Sequence, residues 1–211
     1  MIRKIGRRFF NMIWNHKRKK IINIYREKIE KIEMPTIFSS SCIGGVVYHE
    51  LGKKFTSPTI NLYMRCEDFI KFCENFDYYF TLEMEPYVGE IKRDYPICKL
   101  GDLTLFMVHY KTFEEARDKW NERKLRVNRD NIRIVATDRD GCNAELKDRF
   151  QRLPYKKVMF THLPDEEHKD CFYIRGYETE GQVGTIVEHE GRMSGRRYLD
   201  QFDWVEFLGN E

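Results

Sequence analysis

Apolar positions near the start of the chain recur at the helical period. Ile2, Ile5, Phe9, Met12 and Ile13 fall on one face at 100° per residue, opposite Lys4, Arg7, Arg8, Asn11 and Asn15, with Phe10 and Trp14 flanking. Residues 17–33 continue the helix through Ile21, Tyr25, Ile29 and Ile32 until Pro35 stops it. Beyond Pro35 the period alternates. Ile37-Phe38 reads as a strand, Ile43–Leu51 as a helix, and 59–63 as a short extended piece. Phe69, Phe72, Cys73, Phe76 and Phe80 place a core-facing stripe on one helix over 66–80. The almost wholly apolar run 103–108 reads as a strand covered on both faces. A helix over 113–127 with Glu115–Lys119 and Glu122–Arg126 pairs follows. Then come a strand at 132–136, a helix at 144–153, a strand at 158–160 and a closing helix at 198–208. Alternating strands and helices predict a three-layer α/β/α fold with a mostly parallel sheet, formed by residues 35–211 behind a basic amphipathic helical segment at 1–34.

Charge sharpens the view of that first segment. Residues 1–20 carry eight basic side chains and no acid, so the net charge of +3 leaves 29 basic against 34 acidic residues in the rest. A short, charged amphipathic helix of this kind adsorbs to an anionic membrane surface rather than crossing a bilayer. It is expected to be removable without unfolding the rest. No recurring aromatic-basic platform suggests nucleic acid. The cysteines, at 42, 66, 73, 98, 142 and 171, form no C-x-x-C pair and no secretory signal precedes them, so they read as free thiols of a cytoplasmic, membrane-peripheral protein.

In a parallel sheet, ligands bind where the strands end. Those ends carry Ser39-Ser40-Ser41-Cys42, then His109-Tyr110, then Asp138-Arg139-Asp140, then His162. The first runs into Gly44-Gly45, a small-residue turn opening a helix whose free N–H groups suit a phosphate or a reacting carbonyl. The helix dipole there should lower the Cys42 thiol pKa. With His109 or His162 as base and Asp138 as orienter, Cys42 would be an acyl-transfer nucleophile. Asp138-x-Asp140 also resembles the D-x-D that holds Mn²⁺ or Mg²⁺ against a nucleotide-sugar diphosphate, and equally suits a turn before a capped helix. Arg196 and Arg197, in the glycine-rich stretch from Gly191, would add guanidinium charge for a diphosphate if they fold to the same rim. His162, His168 and Cys171 are zinc-ligand types at a spacing that matches no common site. The face with Trp120, Arg123 and Arg126 reads first as a structural ion-pair layer and second as a substrate clamp.

Between residues 36 and 208 the chain carries Cys42-Ile43-Gly44-Gly45, Ser57-Pro58-Thr59-Ile60-Asn61, Leu100-Gly101-Asp102, His109-Tyr110, Arg139-Asp140-Gly141 and Arg196-Arg197-Tyr198. With these it resembles a bacterial family of unknown function labelled exopolysaccharide or capsule biosynthesis protein. Serines stand before Cys42 where the family pattern leads one to expect Asn. The resemblance implies a membrane-peripheral transferase that moves a sugar or acyl group from an activated, phosphorylated donor to a polysaccharide or lipid-linked acceptor. A Cys- or Ser-dependent hydrolase or acyltransferase, and a non-catalytic assembly factor, are the alternatives.

Overall fold

The computed structural model describes residues 2–191 and 193–209, with side chains from Phe10 onward. The elements run α1 (Ile2–Lys28), β1 (Thr36–Ser39), α2 (Ile43–Leu51), α3 (Cys66–Glu74), α4 (Phe76–Thr81), β2 (Glu85–Pro86), β3 (Ile97–Leu100) and β4 (Leu103–Phe106). They continue with α5 (Phe113–Lys124), β5 (Ile132–Thr137), α6 (Ala144–Gln151), β6 (Lys156–Thr161), β7 (Cys171–Tyr173), a 3₁₀ turn (Tyr198–Gln201) and α7 (Trp204–Leu208).

Four parallel strands in the order β1-β5-β6-β7 form the central sheet. Their side chains alternate between two cores, as the period of two demands. Phe38, Ile134, Ala136 and Met159 join the core under α3, α4, α5 and α6, whereas Ile37, Val135, Val158 and Phe160 join the core under α2 and α7. The α/β layering with a mostly parallel sheet is therefore present. The first core is dense in aromatics: Phe72 sits within 6.5 Å, ring to ring, of Phe38, Phe76, Tyr79, Phe80 and Trp120.

Three elements differ from the sequence expectation. The apolar run from Leu103 is not a strand of the parallel sheet. Gly101, at φ 62°, turns the chain between β3 and β4, and these pair antiparallel with β2 in a separate three-stranded sheet. Leu103, Leu105, Phe106 and Met107 are buried in that hairpin, so the pattern of a doubly covered strand arises without parallel pairing. The stripe over 66–80 is two helices, because Asn75, at φ −151° and ψ 48°, breaks the helical backbone between α3 and α4, its carbonyl accepting the Tyr79 N–H at the start of α4. The closing helix is likewise split at Phe202, and the Asp203 carboxylate restarts it by accepting from the Val205 and Glu206 N–H groups.

Helix α1 is built into the body. The Arg18 guanidinium is 4% exposed and pairs with both Glu50 of α2 and Asp200 of the 3₁₀ turn. Trp14, also buried, stacks on His189 at 3.8 Å with Arg197 over its ring at 5.2 Å. Ile29 is enclosed in the second core. Removal of residues 1–20 would thus strip buried Asp200 of its cation and leave Glu50 with Arg197 alone, contrary to the expectation of a detachable tail. Met12 and Ile24 remain exposed. The expected face formed by Ile2, Ile5 and Phe9 against Lys4, Arg7 and Arg8 lies outside the described side chains. No described helix is long and apolar enough to cross a membrane.

Candidate functional site

The turn after β1 is held from three sides. The Ser39 N–H donates to Thr59 Oγ1 at 2.9 Å, and Ser39 Oγ accepts from the Gly44 N–H at 3.3 Å. Ser40 donates its N–H to the Val135 carbonyl of β5 and accepts from the Met64 N–H, each at 3.0 Å. Ser39 and Ser40 are buried and therefore shape the turn rather than line a cleft. The Ser40 hydroxyl finds no partner among the described residues. Gly44 also faces inward. A Cβ there would lie 3.0 Å from Ser39 Cβ and 3.3 Å from an Ile37 methyl, so glycine is what lets α2 pack on β1. Gly44→Val is accordingly expected to act on folding and not on ligand contacts. Overpacking of this kind costs about 1–3 kcal/mol, read as a lower urea midpoint.

Cys42 is the N-cap residue of α2, and its Sγ lies 3.2 Å from His109 Nε2. The route that brings His109 there is indirect. Tyr63 and Phe106 exchange backbone hydrogen bonds at 2.9 Å, their rings stack at 4.4 Å, and the His109 N–H donates to the Asn61 carbonyl at 3.4 Å. Met64, which is bonded to Ser40, belongs to the same segment. The hairpin is thereby pinned, through residues 61–64, to the turn that carries Cys42. Arg123 reinforces that segment. Buried, it donates to Tyr110 Oη at 2.6 Å and to the Ile60 carbonyl at 3.3 Å, and it lies over Phe55 at 5.3 Å. Tyr110 donates to the same carbonyl at 3.0 Å. Arg123 is thus a clamp on the Asn61 segment and not part of an ion-pair layer, while Arg126 bonds Glu122 and the Phe55 carbonyl.

Asn61 carries a left-handed backbone, φ 65°, and Asp140 one of 58°; they are the two non-glycine residues with positive φ among those described. Such conformations cost of order 1–3 kcal/mol and concentrate at functional positions. Both border the Cys42 region. A cleft of about 540 Å³ is lined by Cys42, His109, Asn61, Gly45, His49 and Arg197, with Arg26 and Phe55. A second, of about 320 Å³, lies on the other side of Cys42 against Ser41, Tyr63, Thr137, Arg139, Asp140 and Thr185. Cys42 is the wall common to both.

Burial pushes the Cys42 thiol above its ordinary pKa, against the expected lowering. Desolvation of the thiolate outweighs the helix N-terminus here, so deprotonation depends on a base, and His109 is in contact. The thiol held low is Cys142, by its neighbour Cys66, whose own thiol is driven up by that neighbour and by burial. At the mouth of α2 the N–H groups of Cys42, Ile43 and Gly45 donate to no group among the described residues.

Asp138 serves a different histidine. Its Oδ2 accepts from His162 Nδ1 at 2.5 Å and from the His162 N–H at 2.9 Å, while Oδ1 accepts from the Val183 N–H at 2.7 Å. It is buried and orients His162, not His109. Asp140 sits exposed with its N–H on Gln182 Oε1 at 3.0 Å, and Asn143 caps α6 by accepting from the Leu146 N–H. The D-x-D segment is therefore a turn before a capped helix, with one of its carboxylates already saturated. Arg197 reaches the His109 cleft but pairs with Glu50 at 3.0 Å; Arg196 turns to Glu190 at 3.4 Å and to the Asp200 carbonyl at 3.1 Å. Arg192, in the same glycine-rich stretch, lies outside the described residues.

Among the described residues, Asp165, His168 and Cys171 bring three metal-ligand types together. His162, expected beside them, is held apart by Asp138. Burial alone would raise the Asp165 carboxyl, but Lys147 at 2.7 Å and His168 at 2.8 Å bring it down to about 2. The carboxylate is thus already neutralised by Lys147, and the group reads as an ion-pair cluster. Arg26 carries no signal in the sequence; Asn61 is marked only by its place at the end of the Ser57-Pro58-Thr59-Ile60 run, and Arg123 only by the helix face it shares with Trp120 and Arg126.

Comparison with known proteins places two findings beside this geometry. The family described as Domain of unknown function (DUF1919) matches residues 12–209, which includes the docked part of α1. An uncharacterized protein of Haemophilus influenzae is 39% identical over 176 residues, 83% of this chain and 84% of its own length.

Proposed function

The chain belongs to the DUF1919 family of domains of unknown function, and within it we propose a cysteine-dependent acyltransferase in which Cys42 is the nucleophile and His109 its base. The observation that carries this reading is the 3.2 Å contact between Cys42 Sγ and His109 Nε2 at the head of α2. His109 takes the thiol proton, and the thiolate attacks an activated acyl carbonyl. The N–H groups without an acceptor at the start of α2 are the donors available to the oxyanion. His109 then returns the proton to the leaving group, and an acceptor hydroxyl or water releases the acyl group.

Acyl transfer is preferred to glycosyl transfer through Mn²⁺ or Mg²⁺. The Asp138 carboxylate is consumed by His162 and Val183, so Asp138 and Asp140 do not offer a cation two free carboxylates. The resemblance to exopolysaccharide and capsule proteins supplies the setting of this proposal: a polysaccharide or lipid-linked acceptor at an anionic membrane surface. Exposed Met12 and Ile24 on α1, with the exposed Lys17, Lys19 and Lys20, support the membrane part. The test is intact-mass analysis after incubation with small acyl thioesters. One acyl group should appear on wild type and map to Cys42, and none should appear on Cys42→Ala.

A further inference from the structure

The cleft that contains Cys42 and His109 is longer than an acyl group requires, and its character changes along its length. Cys42, Gly45, Val46 and His49 all line it. They occupy positions i, i+3, i+4 and i+7 of α2, one helical face. At 1.5 Å per residue this face runs about 10 Å from the thiol to His49. The reactive end holds Cys42, His109 and Asn61; the middle is apolar, with Val46, Ile22 and Phe55. The far end gathers Arg26, Arg197 and His49 around Glu50.

Charge at that far end favours an anion. The Glu50 carboxylate is already matched by buried Arg18 and by Arg197. Arg26 makes no ion pair among the described residues; its Nε caps the Glu50 carbonyl at 2.8 Å and its Nη2 lies over Gly52. The C-terminus of α2 contributes about half a negative charge, less than the full charge of Arg26 that caps it. A guanidinium at the end of an apolar channel matches the planar, bidentate demands of a phosphate.

We infer that this cleft binds an acyl thioester whose leaving group carries a phosphate, the phosphate held by Arg26 and the thioester carbonyl presented to Cys42. The inference rests on the acyltransfer reading for its reactive end and on the Arg26 end for its ligand class. In the step it implies, the Cys42 Sγ–acyl bond forms as the donor's C–S bond breaks, and the thiol proton travels through His109 to the departing thiolate. Helix α1 supplies Arg26 and Ile22, so the docked N-terminal helix is a wall of the donor site.

Three acetyl donors separate the sources of the recognised group: acetyl-coenzyme A, acetyl-phosphopantetheine, and the phosphate-free thioester of N-acetylcysteamine. Acylation of Cys42 should be faster with the two phosphorylated donors by about 10-fold to 100-fold at equal concentration, the range of a charge-assisted contact. Arg26→Gln should remove about tenfold of that preference, with Arg26→Lys intermediate and an unfolding midpoint confirming that both variants fold. Equal rates with all three donors, or a preference indifferent to Arg26, would overturn the phosphate site while leaving the Cys42–His109 reading intact. If no donor acylates Cys42, calorimetry with coenzyme A decides. Binding that weakens in Arg26→Gln would sustain the site and refute acyl transfer; no binding would end both.

Discussion

His109→Ala is expected to slow acylation of Cys42 by about 10²–10⁴-fold, the range lost when a positioned general base is removed. Two features make the effect this large. Burial raises the thiol's pKa, so few thiolates form without a proton acceptor. The acceptor in contact is His109 Nε2, at 3.2 Å. The fold should hardly notice the change, because the imidazole is exposed and surface substitutions of this kind stay within about 0.5 kcal/mol. Asp138→Asn gives the contrast. It disturbs the hydrogen bonds to His162 and Val183 rather than the Cys42 pair, so it should leave the rate of Cys42 acylation far closer to wild type. Stopped-flow or quenched mass measurements of the acyl adduct would rank the three proteins.

Arg18→Ala should be the most destabilising single change in the molecule's N-terminal half, by about 3–5 kcal/mol. The guanidinium pairs at once with Glu50 and Asp200, all three groups being nearly enclosed. Without it Asp200 loses its cation in a site too buried to hydrate it, its Oδ1 already without a partner among the described residues, and Glu50 keeps Arg197 alone. For a chain of this size such a loss corresponds to a fall in Tm of roughly 6–20 °C, measurable by calorimetry. Glu50 also lines the cleft that Cys42 opens onto, so the damage should extend to the site. Truncation before Trp14 should be far milder than truncation through Arg18, which distinguishes a docked helix from a tail.

Much of this site could be read from sequence because its anchor is local. A short apolar strand, small polar residues and Gly44-Gly45 before an amphipathic run specify a strand, a turn and a helix whatever the rest of the chain does, and they put Cys42 at the helix start. The placement of Asp138 and His162 at successive strand ends was legible for the same reason. Their pairing with each other was not, since sequence order says nothing about which side chains on a rim point toward one another. His109 is more instructive. Residues 103–108 carry the apolar run of a buried parallel strand, yet they form half of a hairpin buried by other means. Periodicity does not distinguish the two. His109 reaches Cys42 through the Tyr63–Phe106 pairing and the Arg123–Tyr110 clamp, long-range contacts that leave no local trace. The docking of α1 was hidden likewise. Arg18 looks like one of eight basic residues in a solvated run, and only Glu50 and Asp200, distant in sequence, make it a buried cation.

The pH dependence of Cys42 alkylation by iodoacetamide, followed by peptide mass spectrometry in wild type and His109→Ala, tests the Cys42–His109 pair most directly. A half-buried thiol acting alone reacts only as pH climbs past the ordinary thiol range near 8.5, because partial burial lifts its pKa. A thiol that hands its proton to His109 gains a second route, so wild type should show substantial alkylation near pH 7. In His109→Ala that limb should vanish, leaving a single rise beyond the ordinary thiol range. Superimposable profiles for the two proteins would contradict the pair, and with it the assignment of Cys42 as a nucleophile.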